Sequence, residues 1–267
     1  MSGTEQRLER EQQFHDDWAA KIDAGALDVR VFWEGSTCPE NRFILRHIRP
    51  LAKKRVLELG CGAGENSVYL ALQGAECVAT DVSPGMLETT RSLAKRYNTQ
   101  VECALADAMQ IPYEADGFDI VYAANMLHHV DPERALREMH RVTRPGGNVC
   151  FWDPLRHNPL INVYRRLARD VRTLDERPLS FGILKHVRAL FSGVEYDTFW
   201  LASLWIFIRF FLIERIDPNA ERYWKKIIRE EERLRASYGR LEKLDVALKR
   251  IACLRPLAWN LAVVATK

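Results

Sequence analysis

Between residues 54 and 153, short runs that are apolar nearly throughout alternate with stretches whose apolar positions return every three to four residues. The runs 55–59, 76–80, 101–104, 118–123 and 148–152 read as strands, most of them buried on both faces as in a parallel sheet. The stretches between them read as helices with marked ends. Ser83 and Pro84 offer an N-cap and an N1 proline to a helix over 86–97, and Asp131-Pro132-Glu133 does the same for 135–142. Gly74 closes the first helix, and Pro145-Gly146-Gly147 stops a later one before the fifth strand. Repeated strand–helix units of this length predict a doubly wound α/β sheet.

The flanks read differently. Residues 1–50 are predicted helical, with Phe14, Trp18 and Ile22 on one face. After Asp153 come a basic helix over 160–172, a helix over 181–191 and a strand over 194–199. The next ~55 residues look wholly helical, with Trp224, Ile227, Ile228, Leu234, Leu241 and Leu248 at helical spacing, and 259–266 reads as a last strand. No internal repeat or low-complexity segment is present in the sequence.

Composition narrows the class. At 47% hydrophobic and 28% charged, the 267 residues can bury a core, in one large domain or two small ones. The balance of 39 Lys+Arg against 36 Asp+Glu gives no basis for a nucleic-acid partner. Six scattered cysteines without a C-x-x-C predict neither a metal site nor a disulfide framework, and they suit a cytoplasmic protein. The first residues are charged and lack the apolar region of a secretory signal.

The strongest chemical signal is Val56-Leu57-Glu58-Leu59-Gly60-Cys61-Gly62-Ala63-Gly64, a buried strand running into three alternating glycines and then a helix. Such glycines let the backbone turn tightly and approach a ligand, at the carboxyl ends of strands where doubly wound sheets bind. Asp81 ends the second strand, where a carboxylate can accept from both hydroxyls of a ribose. A dinucleotide loop would want its third glycine where Glu65 stands, which disfavours a nicotinamide cofactor.

The ordered set VLELGCGAG, TDVSPGML, ADAMQIPY, FDIVYAANMLHHV and RVTRPGGNVCFWDP resembles the class I S-adenosylmethionine-dependent methyltransferases, and within them the "type 11" small-molecule and lipid-like group. The resemblance covers roughly residues 54–153 and implies a Rossmann-like, seven-stranded, mostly parallel sheet. It divides the chain into a helical cap (1–50), a cofactor-binding core (51–199), a helical lid or insertion (200–256) and the last strand of the sheet (257–267). It implies S-adenosylmethionine as cofactor. Gly60, Cys61 and Gly62 would pass under its methionine portion, with Glu58 supporting the loop. Asp81 would bind the ribose, and Val82 and Met86 would pack on the adenine. Asp107 would accept the adenine amino group, Ala108 would offer its N–H, Met109 would cover the ring, and Asn125 and Met126 would line the sulfonium side.

A base helps if the acceptor is a hydroxyl or a protonated amine. His129 and His128, just past the fourth strand, are the candidates, His129 slightly ahead; Glu65, Asp153 and His15 follow. No metal is expected. The run 199–213 is apolar but for Ser203 and Arg209, and its fifteen residues are too few to span a membrane, which takes about 18–20. The resemblance makes it an apolar lid over the acceptor, while core packing, peripheral membrane contact or a homodimer seam would also cover it. Arg156, His157, Arg165, Arg166, Arg169 and Arg172 crowd the region after the fifth strand, as a solvated face or as a holder of phosphate or carboxylate. The function implied is methyl transfer to a hydrophobic or amphiphilic small molecule, of lipid, prenylated or polyketide-like type. The alternatives are cyclisation or elimination chemistry on the same cofactor site, or a non-catalytic binding protein.

Overall fold

The computed structural model describes residues 3–173 and 176–267, with side chains described from residue 6 onward. Seven strands form one sheet: β1 (Arg55–Leu59), β2 (Glu76–Asp81), β3 (Val101–Leu105), β4 (Phe118–Ala124), β5 (Thr143–Pro154), β6 (Gly193–Phe199) and β7 (Asn260–Thr266). Their order is β3-β2-β1-β4-β5-β7-β6, with β7 antiparallel to both neighbours and the remaining pairs parallel. This is the doubly wound α/β sheet that the alternating pattern predicts. The strand order reverses between β1 and β4, so the crevice of such a sheet opens where those two strands end.

Helices cover both faces: α1 (Gly3–Ala19), α2 (Val29–Glu34), α3 (Pro39–Ile48), α4 (Glu65–Leu72), α5 (Pro84–Arg96), α6 (Pro132–Val142), α7 (Pro159–Leu167), α8 (Ile183–Leu190), α9 (Trp205–Ile208), α10 (Tyr223–Arg229) and α11 (Glu231–Leu248). Alternate residues of the central strands feed two cores, because successive strand side chains point to opposite faces. Val56, Ile120, Tyr122 and Cys150 meet Trp33, Ile44 and Tyr69 on one side, together with Phe207, Tyr223 and Tyr238 from the C-terminal helices. Leu57, Val121, Val149 and Val263 meet Leu136, Met139, Leu184 and Val187 on the other.

Helix α1 is held over the sheet through the start of α5. Ser83 caps α5, its Oγ accepting from the Met86 N–H at 3.0 Å. Asp16 of α1 accepts from the Ser83 hydroxyl at 2.5 Å and from the Gly85 N–H at 3.0 Å, placing a carboxylate at a helix N-terminus. A Cβ on Gly85 would come within 3.0 Å of that carboxylate and 3.1 Å of Ala19 Cβ, so the glycine is what lets the two helices approach.

Several expectations shift. β3 is the edge of the sheet and is not buried on both faces; Leu105 is 58% exposed. β5 starts at Thr143, because Gly146 at φ +74° lets the Pro-Gly-Gly segment continue as an irregular strand instead of a stop. The basic helix ends at Leu167, and the amphipathic one is two helices that meet at Glu230.

The apolar run 199–213 is not one helix. It is a 3₁₀ turn (Ala202–Leu204), α9 and a π turn (Arg209–Ile213). Leu204, Ile206, Phe207 and Phe210 enter the chain's own core, whereas Trp205, Phe211, Leu212 and Ile213 are exposed. Among the described residues no helix is long and apolar enough to cross a membrane.

Candidate active site

At the switch point, β1 runs into a loop in which Gly60, Gly62 and Gly64 take φ of +64°, +54° and +89°, a region L side chains rarely adopt. A Cβ on Gly60 would lie 2.5 Å from Met126 Cγ, so this glycine lets the loop close on the turn after β4. A Cβ on Gly62 would meet nothing within 4 Å; the loop leaves open space at that point of its cavity.

Glu58 sits buried beneath the loop. Its carboxylate accepts from Asn66 Nδ2 at 2.8 Å, from the Ser67 N–H at 2.9 Å and from the Ser67 hydroxyl, which ties β1 to the first turn of α4. Burial pushes its pKa up, to about 8, against those donors. Asp81, at the end of β2, accepts from the Gly62 N–H and the Ser83 N–H, each at 2.9 Å, one per oxygen. Burial raises its pKa as well. Each Asp81 oxygen keeps a second lone pair.

One cavity gathers Gly60, Gly62, Asp81, Val82, Asp107, Ala108, Met126 and His129. Asp107 spends one oxygen on an Asx turn, accepting from the Met109 N–H at 2.8 Å. Glu58, Cys61 and Met86 are buried behind this lining, and Met109 faces a neighbouring groove, where Arg7 Nη2 lies 3.7 Å from its sulfur. Asn125, at φ +52°, lines a second chamber together with His128.

The cavity's other wall is α1, which contributes Arg7, Leu8, Glu11, His15 and Trp18. The sequence pattern marked Trp18 and His15 but gave no sign of Arg7 or Glu11, whose spacing reads as a solvated helix face. Arg7 Nη1 donates to the His129 carbonyl at 2.6 Å, fastening the helix across the opening.

His128 lines the chamber, and the adjacent His129 lines both the chamber and the cavity. His128 is buried, its Nδ1 2.6 Å from Asp153 Oδ1. Asp153 also accepts from the backbone N–H groups of Met126 (3.1 Å), Leu127 (2.9 Å) and His128 (3.1 Å). Burial pushes the Asp153 pKa up to about 7 against these three donors; in its charged form the carboxylate takes the ring proton on Nδ1 and leaves Nε2 as acceptor. Burial, and then Arg172 and Arg165, lower the pKa of His128. His129 lines both spaces, its Nδ1 3.0 Å from Glu11 Oε2 and 3.4 Å from Thr173 Oγ1. Burial and then His128 bring its pKa down to about 4, against the pull of Glu11. His128, the second choice from sequence, therefore has the better-held proton acceptor. Of the further candidates, His15 lines both spaces, and Glu65 faces an outer groove with Lys225.

The fold also brings together ligand atoms that the sequence spacing did not. Glu11, His15 and His129 form one set and His128, His129 and Glu176 another, each with its atoms within 4.8 Å of one another.

The roof expected from 199–213 comes instead from α1 and α10. Phe14, His15 and Trp18 from α1 and Trp224 from α10, with Arg222 at the N-cap of α10, line the chamber beside Trp259. The apolar run supplies Trp200 to an adjoining pocket. Of the basic cluster, Arg165 and Arg172 reach the chamber, while Arg156, His157, Arg166 and Arg169 are exposed.

A seven-stranded sheet with a glycine loop and an acid-tipped second strand at its switch point defines a nucleoside-binding type of α/β protein. A methyltransferase-domain family model matches residues 57–151. The chain is 40% identical over 107 residues to the demethylmenaquinone methyltransferase of Clavibacter sepedonicus, covering 40% of this chain and 43% of that one. It is 35% identical over 127 residues to the methyltransferase GfsG of Streptomyces halstedii, covering 46% of each. Both matches span less than half of the relative's length. The solved structure of YcgJ from Bacillus subtilis shares the fold at TM-score 0.57 and 17% identity, over 87% of this chain and 97% of that one. Over its central part, residues 57–151, the chain is similar to methyltransferase domains.

Proposed function

We propose that the protein transfers a methyl group from S-adenosylmethionine to a hydrophobic or amphiphilic small molecule. The observation that carries this reading is the pair of spaces that share His15, Trp18 and His129, with His128 lining the second. One is walled by bare glycine backbone and Asp81, the other by aromatic and cationic side chains. The curated relatives named as methyltransferases support it.

The glycine cavity suits an adenosyl group on its own chemistry. Gly62 leaves its Cβ direction open, and Asp81 has the lone pairs for two ribose hydroxyls. Val82, Asp107 and Ala108 would take the base, with Met86 and Met109 packed behind and beside it. Gly60, Cys61, Gly62 and Met126 would border the methionine portion, and Glu58 would hold the loop. When bound, the cofactor supplies a methyl on a positively charged sulfur, an electrophile that needs no further activation.

The residues of this chain then have three tasks. The α1 wall and the Arg7–His129 contact exclude water. Asn125, Trp224 and Trp259 orient the acceptor, and orientation of this kind is worth up to ~7–11 kcal/mol. Asp153 fixes the proton on His128 Nδ1, so Nε2 takes the proton of an acceptor hydroxyl as the new C–O bond forms, or takes the proton of an ammonium first, freeing the nitrogen lone pair that then forms the N–C bond. A protein that binds S-adenosylhomocysteine by calorimetry and passes label from methyl-labelled cofactor into an organic-extractable metabolite meets the proposal. Binding without transfer across a metabolite extract would remove the methyl-transfer step, and absence of binding would remove the cofactor.

A further inference from the structure

Arg165 from α7, Arg172 from the segment after it and Arg222 at the N-cap of α10 all line the His128 chamber, although 57 residues separate the first from the last. Only Arg165 and Arg172 belong to the cluster visible in the sequence. Burial is the first cause holding the pKa of Arg165 down to about 9 and of the other two to about 10, and Arg172 also acts on Arg165 and Arg222 on Arg172 as like charges. The charges are thus desolvated and repel one another, a costly arrangement unless something offsets it.

The offset within the described residues is incomplete. Arg172 pairs with Glu176. Arg165 Nη1 hydrogen-bonds the Leu155 carbonyl at 3.3 Å and Asn162 Oδ1 at 3.1 Å, Asp153 offsets its charge only in part, and its buried Nε has no partner among the described residues. Arg222 lies over the Trp18 ring at 3.9 Å, a cation–π contact, and among the described residues no ion pair to a carboxylate is made by it. Asp153 is committed to His128 and three backbone donors. Among the described residues, three guanidiniums and one acid line a chamber that shares Asn125, Trp224 and Trp259 with a pocket walled by Trp152, Trp200 and Ile227.

We propose that Arg165, Arg172 and Arg222 form an oxyanion subsite, which receives a carboxylate or phosphate of the acceptor while its apolar body lies in the tryptophan pocket. The inference rests on reading the chamber as the acceptor site. A planar, multi-donor guanidinium suits both oxyanions.

The test titrates the full-length protein with octyl phosphate, octanoate and octanol, read by the fluorescence of Trp18, Trp224 and Trp259, with S-adenosylhomocysteine binding measured separately by calorimetry. At least one of the two anions should bind about tenfold or more tighter than octanol. Octyl phosphate alone being favoured identifies a phosphate acceptor, and octanoate alone a carboxylate. Arg165→Gln and Arg222→Gln should each cut that preference about tenfold while leaving nucleoside affinity unchanged. Octanol binding as tightly as both anions overturns the subsite, as does a preference that survives the double substitution. The three-ligand comparison needs no variant, so a misfolded mutant does not rescue the proposal. Loss of nucleoside binding in the unaltered protein refutes the cofactor assignment and leaves the anion result readable.

Discussion

Replacing Asp81 by Asn tests the cofactor site without knowledge of the acceptor. The carboxylate accepts from Gly62 N–H through one oxygen and from Ser83 N–H through the other, both at 2.9 Å and both buried. An amide of the same shape has one oxygen only, so its NH2 must face one of those two N–H donors and cannot accept from the ribose hydroxyl on that side. One hydrogen bond to a charged group is worth about 1.5–3 kcal/mol. At 1.4 kcal/mol per tenfold, S-adenosylhomocysteine should bind roughly 10- to 150-fold more weakly. The assay is isothermal titration calorimetry at pH 7.5, with circular dichroism confirming that the variant is folded. The acidic limb adds a second readout. Burial raises the Asp81 pKa in the free protein, and the bound nucleoside needs the charged form, so binding releases a proton where Asp81 is partly protonated. Affinity should therefore be full above the raised pKa and fall as pH drops through it, at higher pH than for an ordinary carboxylate. Affinity unchanged in the Asn variant, in a folded protein, would refute the ribose assignment.

Other expectations follow from neighbouring residues. His128→Gln should lower methyl transfer about 10²–10⁴-fold and leave nucleoside affinity intact, measured by label transfer and calorimetry; full activity removes the proton-acceptor role. Gly60→Ala meets Met126 Cγ at 2.5 Å and a strained φ, so thermal unfolding should show a loss of about 1–3 kcal/mol, and an unchanged melting temperature would contradict the close approach. Gly62→Ala should cost less stability but more affinity, since its Cβ enters open space, and the reverse order would contradict the cavity assignment. Dialysis against a chelator should leave nucleoside affinity and label transfer unchanged, because Glu11 already faces His129 at 3.0 Å; a loss restored by a divalent cation would instead make Glu11, His15 and His129 ligands.

The parts of the fold legible in sequence are those where one interaction sets one pattern. β1, β2 and β4 are buried on both faces and read as continuous apolar runs, and Ser83 and Asp131 cap helices where their side chains predict. β3 has the same composition yet lies at an edge, which no local signal encodes. The run 199–213 is uniformly apolar, so it has no period from which to read which residues face in. Its break into three short turns with Trp205, Phe211, Leu212 and Ile213 outside was invisible for that reason.

The site divides in the same way. Gly60, Gly62 and Asp81 were legible because loop, strand end and acid lie within 22 residues of one another. The His128–Asp153 pair was not, because both side chains are local features of different strand ends and only the β4–β5 pairing brings them together. Arg7, Glu11 and Arg222 reach the site from opposite ends of the chain, on helices whose spacing resembles ordinary solvated faces.

The most direct measurement is a crystal structure of the protein with S-adenosylhomocysteine. The account predicts density along the Gly60–Gly62 backbone, both ribose hydroxyls on Asp81, and the sulfur turned toward the His128 chamber. An empty glycine cavity, or a nucleoside whose sulfur points away from His128, would contradict it.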